Sequence, residues 1–202
     1  MNSSAYRKAI VDYIRAAAKP PDKFSHQARL YSLACQLAGD RSYDDDVVFA
    51  SAWMHDLGVF VGHRPEDPTA LADWDHVAYV MREAPSILSR LGFPPEKIPA
   101  VIEAIRTHQP TADPTTFEAV LLRDADILEQ LGAVGVLRTV CKTGRDTRFA
   151  RFSDAIRMLR HNAADLPPRL RLESARRLAV PRRKALLAIL DAAEAEASGV
   201  EW

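Results

Sequence analysis

Histidines and aspartates, whose side chains can bind metal ions, recur in this 202-residue chain near the ends of predicted helices. The adjacent pair His55-Asp56 directly follows residues 47–54, a run that is apolar on nearly every side. A carboxylate next to such a run needs a cation, several hydrogen-bond donors or exposure to solvent. An imidazole beside a carboxylate suits Mn, Fe, Co, Ni or Zn. The pair is therefore a candidate metal site, although a histidine at a helix end could instead interact with the free carbonyl groups there.

Two other segments supply similar donors. His26 lies at the start of the preceding predicted helix, and Asp124-Ala125-Asp126 lies inside a later apolar one. Carboxylates in the middle of an apolar helix are unusual unless something pairs with them. Positions two apart on a helix diverge by about 200°, so only one of the two aspartates can face a given site. Both share a helix face with apolar residues, and the helical pattern does not decide between them.

The order of these residues resembles the H…HD…D signature of the HD-domain metal-dependent phosphohydrolases. A bacterial subgroup of small HD hydrolases is similar over about residues 20–140, in the segments His26–Arg29, Trp53–Gly58, His76, His108 and Asp124–Gly135. The resemblance implies an HD-type helical bundle with a metal site formed by His26, His55, Asp56 and Asp126. Asp124 would then not bind the ion itself but would orient an imidazole or an arginine near it.

His76 and His108 leave two interpretations open. Each could be a structural histidine of the core. The resemblance implies instead that they lie around the substrate or bind a second metal ion, with the carboxylate of Asp56 bridging the two ions. The cofactor would be one or two divalent ions, Mg included. Some members of the superfamily with such a ligand set are di-iron oxygenases, and a non-catalytic metal-binding regulatory module is a third alternative.

The reaction that this resemblance implies is hydrolysis of a phosphoester or phosphoanhydride by a metal-activated water. The expected partner is a small phosphorylated molecule, with a nucleotide as the favoured class. Candidate substrate-binding residues are Arg29, one turn after His26, and His63 and Arg64 in a loop rich in Gly and Pro. Each has an alternative interpretation without a role in binding: Arg29 could form a surface ion pair, and His63 and Arg64 could be solvated residues of the loop.

The segments that must position these side chains show the periodicity of helices. No run of residues shows the alternation of apolar and polar side chains that is typical of a β-strand. Helices are predicted over residues 4–19, 23–38, 43–57, about 73–91, about 99–108, 115–131, 133–141, 149–162 and 172–197, with a loop over 59–72. We expect an all-α, single-domain bundle over residues 1–202. Its core would carry the motifs over about 20–140, with C-terminal helices over about 149–197 packed on it.

The amino-acid composition indicates which classes of binding partner to expect. Lys plus Arg and Asp plus Glu both number 27, so the chain lacks the basic excess that is typical of nucleic-acid binding. No stretch approaches the about 20 apolar residues of a membrane span. Two distant cysteines indicate no disulfide framework, and the N-terminus lacks the apolar run of a signal peptide. A cytoplasmic protein is expected, and the sequence does not indicate its oligomeric state.

Overall fold

The computed structural model describes residues 3–145 and 149–200, and within these ranges the regular structure is helical, without a β-strand. Ten α-helices occur there: α1 Ser3–Ala17, α2 Phe24–Ala38, α3 Asp45–Met54, α4 Pro68–Ala72, α5 His76–Arg90, α6 Ile98–Arg106, α7 Phe117–Glu129, α8 Ala133–Val140, α9 Phe152–Asp165 and α10 Glu173–Ala197. The all-α expectation is confirmed. None of the helices in these ranges is long and apolar enough to cross a membrane.

The chain divides into two compact units, Met1–Ala125 and Asp126–Trp202. Helix α7 is continuous across this boundary, since it begins at Phe117 and ends at Glu129. The single-domain organisation expected from the sequence stays a prediction.

Helix α3 lies at the centre of the first unit, where it packs against α1, α2 and α6. Every side chain from Val47 to Met54 is buried, as a helix without a polar face requires. The helix begins with an N-cap at Asp44, whose carboxylate accepts hydrogen bonds from the backbone N–H groups of Asp46 and Val47. An anchored N-terminus and a buried body fix the position of the opposite end, which carries His55 and Asp56.

The loop prediction over residues 59–72 is wrong in one segment, because Pro68–Ala72 forms the short helix α4. Asp67 caps this helix by accepting a hydrogen bond from the backbone N–H of Ala70 at 2.9 Å. Pro68 occupies the first turn, where the missing N–H of proline costs nothing because the first N–H groups of a helix lack partners in any case. The proline therefore starts a helix here instead of interrupting the chain.

The second unit has a core of its own, in which α8, α9 and α10 pack together. Its buried residues include Val136, Leu159, Leu186 and Leu190. The turn from α7 into α8 is tight, because a Cβ at Gly135 would lie 2.6 Å from the carbonyl oxygen of Gln130. The segment Asp124–Gly135 contains two glycines, and at position 135 this close contact requires a glycine.

A candidate metal centre of histidines around Asp56

The centre begins where α3 ends. His55 is the C-cap residue of this helix and has only 1% of its surface exposed. Its Nδ1 lies 3.0 Å from the carbonyl oxygen of Ala52, a distance that places the ring proton on Nδ1 when the ring is neutral. Nε2 then carries the lone pair, and it lies 3.5 Å from Oδ1 of Asp56. A metal-binding histidine normally has its other ring nitrogen anchored in this way.

His26 reaches the same carboxylate from helix α2. Its Nε2 lies 3.7 Å from Oδ2 of Asp56, and its ring centre lies 5.2 Å from that of His55. One ligand atom from each of His26, His55 and Asp56 can be chosen so that all three lie within 4.8 Å of one another. Two imidazoles and a carboxylate at this spacing form a group that could hold a metal ion, and their chemistry suits the divalent transition metals.

Two more histidines continue the cluster. The ring of His108, which follows the end of α6, lies 5.2 Å from the ring of His55, and the ring of His76 lies 6.1 Å from that of His108. The Nδ1 of His108 lies 2.6 Å from the carbonyl oxygen of Ile105, so its ring is anchored as that of His55 is. The four histidines expected at the site from the sequence thus come together in the first unit.

The electrostatics of Asp56 reflect this arrangement. Burial raises the pKa of the Asp56 carboxyl, but the positive charges of the four histidines in their protonated form lower it, and His55 lowers it most. The net effect holds the pKa of Asp56 well below its ordinary value. The group is therefore an ionised carboxylate at neutral pH, which is the form that binds a cation.

Gly58 and Trp74 pack the Asp56 turn against the start of α5, and sequence reasoning missed both roles. A Cβ at Gly58 would lie 2.7 Å from the backbone oxygen of His76. The indole N–H of Trp74 donates a hydrogen bond to the carbonyl oxygen of Gly58 at 2.8 Å. The glycine that follows the His-Asp pair therefore sets how closely His76 approaches the turn.

Arg123 is a third residue whose role the sequence did not indicate. It is 4% exposed on α7, and its Nη2 donates a hydrogen bond to the carbonyl oxygen of Pro110 at 2.6 Å. Its Nη1 lies 3.4 Å from Oδ1 of Asp124, which has no exposed surface. Because Pro110 is two residues from His108, this guanidinium ties α7 to the segment that carries a histidine of the centre. The sequence feature that could have indicated this role is an arginine inside an otherwise apolar helix.

Asp126 is the first residue of the second unit. It is half-buried, and the side-chain amide of Gln130 donates a hydrogen bond to its Oδ2 at 3.2 Å. Its role as a metal ligand, and that of Asp124 behind the ligands, stay predictions.

The three candidate substrate-binding residues lie on α2 and in the loop after the Asp56 turn. Arg29 donates a hydrogen bond to the hydroxyl of Ser25 at 3.0 Å, and the Nδ1 of His63 lies 2.9 Å from the hydroxyl of Tyr79. Burial lowers the pKa of His63, and the nearby Glu83 raises it by less. Arg64 is half-buried, and its backbone N–H donates to Phe60 at 3.1 Å. Their role in substrate binding stays a prediction.

Comparison with solved structures shows a fold shared along almost the whole chain. YpgQ from Bacillus subtilis superposes with a TM-score of 0.75 at 22% sequence identity, over 98% of this chain and 99% of that one. The crystal structure of YpgQ in complex with ADP gives 0.74 at 21% identity, over 99% of each chain. A predicted HD superfamily hydrolase from an uncultured Thermotogales bacterium gives 0.64 at 24% identity, over 94% of this chain and 91% of that one.

No curated protein matches the sequence of this chain. The model of the HD domain matches residues 24–131, which is more than half of the chain and includes His26, His55, Asp56, His76 and His108. The chain therefore belongs to the HD domain family.

Proposed function

We propose that this protein is a metal-dependent phosphohydrolase that cleaves a phosphoester or phosphoanhydride bond of a small phosphorylated molecule, with a nucleotide as the substrate class. The observation that carries the proposal is the convergence of His26, His55 and Asp56, whose ligand atoms lie within 4.8 Å of one another. Membership of the HD domain family supports it.

In this proposal His26, His55 and Asp56 hold a divalent ion, and Asp126 is the fourth ligand that the family resemblance implies. The donor set fits such an ion, because Asp56 stays ionised and the Nδ1 of His55 is already bonded to Ala52. A divalent ion bound there would lower the pKa of a water molecule and stabilise the negative charge that develops on a phosphoryl oxygen.

His108 and His76 serve one of two purposes in the same proposal. They would orient the attacking water, or they would hold a second ion, for which Asp56 would also be a ligand. Their rings extend the cluster from His55 through His108 to His76, with centre distances of 5.2 and 6.1 Å. A second ion would help to stabilise both the attacking and the leaving oxygen.

The choice of a nucleotide rests on two observations. The structurally similar YpgQ has been crystallised in complex with ADP. The chain has a formal net charge of zero, which favours a small ligand over a polyanion such as nucleic acid.

The test is release of phosphate or pyrophosphate from a panel of nucleoside mono-, di- and triphosphates with added Mn, Co, Ni or Mg. We expect metal-dependent turnover by the wild-type protein, and a loss of at least about a hundredfold in His55→Ala and Asp56→Ala. His161→Ala is the matched control, because His161 is an exposed histidine on α9 in the second unit. Turnover that persists in Asp56→Ala would contradict the proposal.

The same histidines also favour one rival, a di-iron oxygenase, because the cluster offers ligands for two ions. The two functions differ in their requirements. The oxygenase needs iron and O₂, whereas the phosphohydrolase works without O₂. Turnover of a nucleotide under anaerobic conditions supports the phosphohydrolase, and O₂ consumption without release of phosphate supports the rival.

A further inference from the structure

A groove of about 280 Å³ runs between α5 and the segment that follows α6, within the first unit. It is lined by Asp75, Val77, Ala78, Met81, Arg106, Gln109, Thr111 and Ala112. Its volume is close to the lower end of the range of small-molecule sites, about 300–1,000 Å³. The proposed function above does not use this groove.

The groove is continuous in sequence with two histidines of the metal centre. Asp75 and Val77 flank His76, and Gln109 follows His108 directly. The rings of His76 and His108 lie 6.1 Å apart, so the start of α5 and the segment after α6, which carry the two walls of the groove, approach each other at these residues. Neither histidine is among the residues that line the groove, but each is the direct sequence neighbour of a residue that does.

The lining combines apolar and polar side chains. Val77, Ala78, Met81 and Ala112 offer aliphatic and thioether surface, against which a flat ring can pack. Gln109 supplies both a donor and an acceptor, which is what the edge of a nucleobase requires. The carboxylate of Asp75 uses one oxygen to accept a hydrogen bond from the N–H of Ala78 at 2.9 Å, and its other oxygen can accept from a hydroxyl of a sugar.

The guanidinium of Arg106 is already matched by a carboxylate. It forms two hydrogen bonds with Glu103, at 2.7 and 2.8 Å. The groove therefore lacks the unneutralised cation that a phosphate group prefers. Its chemistry suits the uncharged part of a nucleotide better than the charged part.

We propose that this groove binds the nucleoside of the substrate while the phosphates lie at the histidine cluster. The inference rests on the proposed function and adds to it the place where the base and sugar are recognised. It makes Ala78 and Gln109 residues that determine specificity, whereas the metal ligands act on the phosphates alone.

The experiment compares the binding of two probes to protein loaded with Mn²⁺, by isothermal titration calorimetry. ADP carries a nucleoside, and inorganic pyrophosphate carries only the phosphoanhydride. Ala78→Trp fills the groove from an exposed position, and Ala100→Trp is its control, because both alanines are exposed and each is the third residue of its helix. Gln109→Leu removes the polar contact without adding bulk, and serves if the tryptophan disturbs folding.

We expect Ala78→Trp to raise the Kd of ADP by about tenfold or more, with the Kd of pyrophosphate changed by less than about twofold. Gln109→Leu should raise the Kd of ADP alone by a smaller factor, and Ala100→Trp should change neither. If wild type and Ala78→Trp bind ADP equally well, or if the variant loses pyrophosphate as much as ADP, the inference is wrong and the proposed function is untouched. If the wild-type protein binds neither probe and releases no phosphate, the proposed function fails and this inference fails with it.

Discussion

His55 and His108 make the same contact with the backbone at the ends of two different helices. Each ring directs Nδ1 at the carbonyl oxygen three residues earlier, Ala52 for His55 and Ile105 for His108. The last carbonyl groups of a helix lack intrahelical partners, so they are available to accept this bond. The sequence left open whether His55 interacts with its helix end or binds a metal. The structure shows that one ring can do both, because the two interactions use different nitrogen atoms.

Gly58 shows how steric contact at one residue controls another. Replacement of Gly58 by Ala places a Cβ 2.7 Å from the backbone oxygen of His76, so the start of α5 must shift. We expect Gly58→Ala to lower the free energy of unfolding by about 1–3 kcal/mol, the usual cost of overpacking. For a chain of this size each kcal/mol lowers Tm by about 2–4 °C. Thermal denaturation followed by circular dichroism measures the change, and an unaltered Tm would show that the turn has room to adjust.

At the scale of elements, α3 is held at its N-terminal end by two cations. The carboxylate of Asp46 accepts hydrogen bonds from Arg7 of α1 at 2.6 Å and from Lys97, just before α6, at 2.8 Å. Burial raises the pKa of Asp46, but the bonds from Lys97 and Arg7 outweigh it and hold that pKa well below its ordinary value. Helices α1 and α3 and the start of α6 are thus tied together at the end of α3 opposite His55.

The depressed pKa of Asp46 predicts how this contribution depends on pH. A carboxyl whose pKa is lower in the folded state stabilises the protein above its unfolded pKa, about 3.9, and this stabilisation is lost as the pH falls towards the folded value. Asp46→Asn should lower the free energy of unfolding by about 1–2 kcal/mol at pH 7. The difference from wild type should shrink between pH 5 and pH 2, in urea unfolding at each pH. The exposed Asp40→Asn is the control, and a pH-independent difference would contradict the argument.

Helix α7 contributes a buried ion pair through Arg123 and Asp124. Replacement of Arg123 by Met removes a positive charge next to the buried carboxylate of Asp124, so Arg123→Met should cost about 3–5 kcal/mol. Arg123→Met combined with Asp124→Asn should cost less than the sum of the two single changes, with a coupling of at least about 1 kcal/mol. Urea unfolding of the four proteins measures the coupling. Additive losses would mean that Arg123 does not stabilise the protein through Asp124.

At the scale of the whole molecule, the periodicity of apolar residues predicted the positions of the long helices, because burial of one face leaves a strong signal. The helix at Pro68–Ala72 was missed, since it is stabilised by a cap and a proline and buries no residue. The sequence grouped the four histidines through resemblance, but could not show that Gly58 touches His76 or that Arg123 reaches Pro110. Such contacts depend on tertiary packing, which the spacing of residues does not encode.

We propose that the two units unfold together as a single domain, because α7 runs without interruption across their boundary. Leu186 is fully buried in the core of the second unit, so Leu186→Ala should destabilise the protein by about 2–5 kcal/mol. Calorimetry should show one transition that moves as a whole to lower temperature. A second transition, shifted alone by this change, would show two domains.

The measurement that tests the account most directly is the metal content of the purified protein, before and after equilibration with Mn²⁺, by elemental analysis. The account predicts one or two ions per wild-type chain, little or no metal in His55→Ala, Asp56→Ala and Asp126→Ala, and wild-type content in His161→Ala. A folded Asp56→Ala protein that keeps the full metal content would contradict the claim that His26, His55 and Asp56 share a metal ion.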